Sequence, residues 1–199
     1  MNKVLIVFAH PRFEKSRANR ALLSGVDGIE GVTLNDLYEE YPDFNIASDR
    51  EQALLADHSA VVWHFPIYMY GAPALFKHWM DVVLEYGWAH GGKGTALVGK
   101  TVFVALTAGG TRESYAADQY NRFALREFLR PFEQTAVLCR MTWLPPFAVH
   151  GTHLLTDGQL AGYAALYGKL LKMLVAGGLD ADAVRRCDYL NDWLTDQGR

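Results

Sequence analysis

Three nearly continuous apolar runs, residues 4–9, 60–65 and 101–106, constrain this chain more than any other feature. Each is rich in β-branched and aromatic residues and shows little polar alternation. That is the pattern of strands covered on both faces, as in a parallel sheet with helices packed above and below. Val32, Leu34 and Leu37 lie in a more polar, partly alternating stretch that predicts an edge strand. Residues 135–141 are the expected fifth strand.

Helical spacing separates these runs. Ala72, Leu75, Phe76, Trp79, Met80, Val83 and Tyr86 recur at intervals of three and four, with Pro73 suited to the first turn. Similar faces run through Ala18, Ala21, Leu22 and Val26, and from Leu160 to Leu174. Ser48 with Glu51, and Thr156 with Gln159, have capping-box spacing and predict two helix starts. After Gly177 and Gly178, Asp180 is placed to cap one last helix through Ala183, Val184, Cys187, Leu190 and Leu194. The expected organisation is an α/β domain over residues 1–176, a doubly wound five-stranded parallel sheet with helices on both faces, followed by a C-terminal helical extension over 177–199.

Composition removes several classes of function. With 50% hydrophobic and 21% charged residues, the chain is an ordinary globular one. A net charge of −3 without any basic stripe argues against nucleic acid. Cys139 and Cys187 lie far apart, so no disulfide framework and no metal-binding thiolate cluster is expected, and a cytoplasmic setting is natural. The first apolar run is too short to span a membrane, so any membrane association is expected to pass through a partner.

In an open parallel sheet, the loops after the strands gather along one rim, where ligands bind. The first carries His10, Ser16, Arg17, Ala18 and Asn19 in front of a helix, a set suited to a phosphate at a helix N-terminus. Ser16 serves equally as a plain helix cap, and His10 as a hydrogen-bonded structural residue. The second, Pro66, Ile67, Tyr68, Met69 and Tyr70, offers a flat apolar wall or a subunit contact. The third, Thr107, Ala108, Gly109 and Gly110, exposes main-chain N–H groups close to a ring or simply makes a turn, with Tyr115 following. Together they describe a phosphorylated flat ring system, for which flavin is the best candidate. No Gly-x-Gly-x-x-Gly follows the first strand, so a resident dinucleotide of the Rossmann type is not expected, and the flavodoxin-like arrangement is.

Other motifs fail on chemistry. Residues 87–94 approach a P-loop, but Gly94 stands where Ser or Thr is required and the segment follows a helix. His150 and His153 have no evident third ligand, so no metal site is expected. Ser24, Ser59 and Ser114 lack the nucleophile elbow of a hydrolase.

In order, these segments resemble the NAD(P)H:quinone oxidoreductase family of flavodoxin-like flavoproteins. The resemblance is carried by Ala9-His10-Pro11 with Ser16 and Asn19, by residues 65–79, by Gly87-Trp88-Ala89 and by residues 106–110. Residues 41–46 and 143–147 are similar to a bacterial branch, the ancillary flavoproteins of glutathione-regulated potassium-efflux systems. The resemblance covers residues 3–173. It implies FMN or FAD as cofactor, NADPH or NADH as electron donor, a quinone acceptor, a homodimer and a possible membrane-transporter partner. It also implies a catalytic Tyr115 aided by Gly109 and Gly110, with His90 and Asn121 at substrate positions. His90 stands where the family has an aromatic residue reaching the partner's site, and Asn121 where the eukaryotic quinone reductases have a His.

Overall fold

The computed structural model describes residues 2–196. Its strands are β1 (Val4–Phe8), β2 (Val32–Asp36), β3 (Ala60–Pro66), β4 (Thr101–Thr107), β5 (Thr142–Trp143) and β6 (Phe147–Val149). They form one parallel sheet in the order β2-β1-β3-β4-β5, with β6 also on β4. Successive β1 side chains enter opposite cores: Leu5 and Val7 pack with Trp63 and Trp79, whereas Val4, Ile6 and Phe8 pack with Phe103 and Tyr167. Burial on both faces is the reason the central runs are apolar without alternation. The edge strand β2 is only partly covered, as its polar residues require.

The fifth strand is not at residues 135–141. That segment lies largely in α6 (Arg130–Leu138), entered at Pro131, with Phe132 and Ala136 one turn apart on its buried face. Val137 and Leu138, which gave the segment its strand-like look, are 57% and 52% exposed. The fifth position is filled by β5 and β6, separated by Pro145 and Pro146, which have no N–H to continue the ladder.

The remaining helices are α1 (Arg17–Ser24), α2 (Leu37–Glu40), α3 (Ser48–Asp57), α4 (Ala74–Val83), α5 (Leu125–Phe128), α7 (Asp157–Ala176), α8 (Ala181–Val184) and α9 (Leu190–Asp196). Leu37 opens α2 instead of continuing β2. Thr156 and Gln159 form the expected capping box of α7, which ends on Gly177 at φ +69°, a conformation glycine adopts without steric cost. Ser48 and Glu51 do not form one. Ala47 is the N-cap of α3, and the Ser48 hydroxyl donates to the Val82 carbonyl. Glu51 is instead fully buried, its carboxylate receiving bonds from Asn35, Tyr41, Arg50 and Trp79, so burial rather than capping sets its place.

The C-terminal part is two helices, not one. Asp180 caps α8 through the amides of Asp182 and Ala183, the chain then breaks, and α9 follows. Val184, Leu190, Trp193 and Leu194 join the core on the α7 side of the sheet. Among the described residues, no helix is long and apolar enough to cross a membrane.

Candidate functional site

The loops after β1, β3, β4 and β6 meet at the carboxyl rim of the sheet, and hydrogen bonds join them beyond the strand ends. Ala9 donates to His64, Ile67 to Thr107, Ala108 to Val149 and Gly151 to Gly110, at 3.0, 2.8, 2.8 and 2.8 Å. Two adjoining cavities open on this rim, of about 340 and 520 Å³. Both are walled by Ile67 and Gly109, so they lie side by side on the rim.

The first cavity is polar and cationic at its far end. It brings together His10, Ser16, Arg17, Ala18, Asn19, Pro66, Ile67, Tyr68 and Thr107, all expected from sequence. Ser16 caps α1, and its oxygen accepts from both the backbone and side-chain nitrogens of Asn19, at 3.2 and 2.9 Å. With its acceptor capacity engaged, the Ser16 hydroxyl proton is left to donate into the cavity. The amides of Arg17 and Ala18, in the first turn, have no helical acceptor and sit at the positive end of the helix dipole. The Arg17 guanidinium is bound to Asp157 at 2.6 Å, so its charge is partly neutralised. Arg12 and Lys15, which sequence reasoning had not selected, also line this end and make no ion pair among the described residues.

A buried chain of hydrogen bonds fixes this end. Tyr167 donates to His64 Nδ1 (3.2 Å), His64 Nε2–H donates to Asn19 Oδ1 (3.1 Å), and Asn19 Nδ2 donates to Thr107 Oγ1 (3.1 Å). Burial and the nearby His10 hold the His64 pKa down at about 3, so the ring is neutral, as this donor order demands. His64 was hidden in the sequence inside an apolar strand. His10 accepts the Arg12 amide at Nδ1 and meets the Tyr68 hydroxyl at Nε2, a structural arrangement, and burial lowers its pKa.

The second cavity is flatter and more aromatic, lined by Ile67, Met69, Tyr70, Gly109, Gly110, Tyr115 and Asn121, together with Thr111, Ser114 and Tyr120. Met69 and Tyr70 occupy the left-handed region at φ +46° and +65°, in a tight turn closed by reciprocal bonds between Tyr68 and Gly71. Such turns ordinarily take Asn or Gly, so bulky residues here place strain at the site, with Met69 93% exposed. A Cβ on Gly110 would lie 2.8 Å from Ser114 Oγ and 3.0 Å from the Tyr115 ring, so glycine is what lets Tyr115 close over the loop. Burial raises the pKa of Tyr115, which keeps its phenol protonated at neutral pH. Asn121 donates to Ser114 Oγ at 3.0 Å, which fixes its amide on the cavity wall.

Two expected residues are not in the cleft. Ala108 is buried, with its N–H taken by Val149, and acts as part of the ladder. His90 lines neither cavity and packs edge-on against Tyr86 at 5.9 Å. Conversely, Thr152 and His153, on the loop after β6, do line the first cavity. Thr152 was not singled out, and His153 was weighed only as a metal ligand, because the strand that aims this loop at the rim was expected elsewhere. No cluster of metal-ligating side chains occurs among the described residues.

The family model described as "Flavodoxin-like fold" matches residues 2–171. The chain belongs to this family. It is 43% identical over 176 residues to the glutathione-regulated potassium-efflux system ancillary protein KefG of Salmonella typhimurium, covering 88% of this chain and 96% of that protein. The structure of general stress protein 14 from Treponema denticola, in complex with FMN, is 37% identical, with a TM-score of 0.83 and coverage of 86% and 99%. An NADPH-quinone reductase from P. pentosaceus is 29% identical, with a TM-score of 0.78 and coverage of 85% and 97%. Of these, the Treponema protein has FMN bound and the P. pentosaceus protein is named for quinone reduction.

Proposed function

We propose that this chain is a flavin-dependent oxidoreductase that transfers two electrons from NADPH or NADH to a quinone, the donor leaving before the acceptor binds. The observation that carries the reading is the adjacency of the two cavities. A cationic, hydroxyl-bearing end joins a flat apolar end through Ile67 and Gly109, as a ligand with one phosphate and one planar ring system requires. FMN fits this donor set, and FAD is the alternative that cofactor release would reveal. When bound, the flavin supplies the redox chemistry, taking hydride from the donor and returning two electrons to the acceptor.

The chain's own residues hold and polarise that group. Ser16, the Arg17 and Ala18 amides, and the cations of Arg12 and Lys15 serve the phosphate. Ile67, Tyr68, Met69 and Tyr70 wall the ring, and the backbone around Gly109 and Gly110 stabilises negative charge on it. Tyr115 keeps its proton and donates a hydrogen bond to an anionic ring edge or a substrate oxygen, with Asn121 on the same wall. His90 would reach a site only from a second copy, in the homodimer that the resemblance implies.

Varying NAD(P)H against quinone is expected to give parallel double-reciprocal lines; intersecting lines would contradict alternate occupancy.

A second reading, favoured by the likeness to KefG, is a regulatory module that docks on a potassium-efflux transporter. Co-purification with such a transporter, and transport activation that survives a substitution shown to abolish quinone reduction, would support it. Failure to bind any such transporter would remove it.

A further inference from the structure

The loop that carries Tyr115 and Asn121, between β4 and α5, has no regular secondary structure of its own and is held from outside. Its internal bonds, from Ser114 Oγ to the Thr111 carbonyl and from Asn121 to Ser114, set its local shape but do not attach it to the sheet. Ala108 and Gly110, at its start, are bonded to β6 and the loop after it, and the attachment of the rest comes from the C-terminal part, beyond the family segment that ends at residue 171. Both Arg112 guanidinium nitrogens donate to the two Asp192 oxygens at 2.8 Å, and the guanidinium lies 4.6 Å over the Tyr189 ring. Arg126 and Asp188 make a second ion pair at 3.2 Å on the far side of the loop.

The segment that carries Asp192 and Tyr189 is itself anchored to the sheet. The Leu190 amide donates to the Pro146 carbonyl at 2.9 Å, and Asn191 Oδ1 accepts the β6 amide of Ala148 at 2.8 Å. Trp193 and Leu194 are buried in the core. From this anchor a row of rings leads to the site: Tyr189 is edge-on to His150 at 5.2 Å, and His150 tilts against Tyr115 at 5.9 Å. Both His150 ring nitrogens are buried without a partner, so the ring acts as a wedge and not as a link in a proton path.

We infer that residues 188–193 are a strap that positions Tyr115, with Arg112 and Asp192 as the positioning pair and Tyr189 and His150 as the packing behind it. The inference rests on the oxidoreductase reading. The pair is half-exposed, and isolated pairs of that kind contribute little to global stability. Its effect is therefore local: it selects one arrangement of residues 111–124, whose other hydrogen bonds are short-range, and catalytic geometry is sensitive to displacements of about 1 Å.

The test uses the flavin-loaded full chain with Asp192→Ala, Arg112→Ala and the double exchange Arg112→Asp with Asp192→Arg. Each single variant is expected to lower kcat for the quinone about threefold, to leave flavin affinity within about twofold, and to speed amide hydrogen exchange across residues 111–123. The exchange variant is expected to recover most of both losses. Unchanged kcat and unchanged exchange in both single variants would overturn the strap. So would a loss that the double exchange fails to recover, because the ion pair would then not be its cause. A wild-type chain that binds no flavin would sink the oxidoreductase reading instead, a result distinguishable from either.

Discussion

The two ends of the cleft are built differently. At the phosphate end, Tyr167, His64, Asn19, Ser16 and Thr107 form one hydrogen-bonded chain, buried except at Ser16, that ties α1, β3, β4 and α7 together. At the ring end, Met69 and Tyr70 hold strained backbone, Tyr120 is 89% exposed, and Tyr115 depends on packing and on the tail for its place. A fixed end confers affinity, and a less constrained end can accommodate two substrates in turn. On the proposed function, cofactor retention belongs to the first cavity and turnover to the second.

Acid is expected to produce the largest effect. His64 is held neutral down to about 3 and His150 down to about 4, each chiefly by burial, whereas in the unfolded chain both take a proton near 6.5. Below pH 6.5 the unfolded state therefore binds more protons than the folded one. The stability present above that pH is lost at about 1.4 kcal/mol per pH unit for each ring until its folded pKa is reached. Urea melts from pH 7 to 4 should show this steep fall; a flat profile would show that the rings are not buried as described.

Next comes Asn19→Ala, which removes the link between the loops and leaves His64 Nε2–H unpaired. A loss of about 3 kcal/mol in stability and about hundredfold in flavin affinity is expected, read by urea melts and fluorescence titration. An unchanged affinity would erase the contrast between the ends. Gly110→Ala sharpens it from the other side. The new methyl displaces Tyr115, so kcat should fall about tenfold with little change in flavin affinity, as steady-state rates and titration would show.

Tyr115→Phe keeps the ring and removes the donor, for an expected loss of about fivefold in kcat, larger than any loss in flavin binding. Arg17→Ala should be the mildest, within about 1 kcal/mol of wild type in cofactor binding free energy, because Asp157 already engages its charge.

Much of this site was legible in the sequence because strand burial and loop chemistry coincide. The runs at β1, β3 and β4 are apolar for a single reason, and loops leaving parallel strands in the same direction must share a rim. What was not legible had local causes. Val137 and Leu138 imitate a strand on the exposed side of α6, and two prolines break the true fifth strand into pieces too short to show a pattern. With that strand misplaced, the loop bearing Thr152 and His153 could not be recognised as part of the rim. Glu51 has capping spacing but a buried fate, decided by Asn35, Tyr41 and Trp79 arriving from elsewhere in the chain and by its neighbour Arg50. His64 is one polar residue in an apolar run, and its partners Asn19 and Tyr167 lie 45 and 103 positions away.

The central claim is that the rim holds a phosphorylated flavin. The visible absorption spectrum of the purified chain, with release and identification of whatever absorbs, tests it most directly. The account predicts a yellow protein that yields about one flavin per chain, released as FMN. A colourless protein that remains flavin-free after incubation with both FMN and FAD would contradict it.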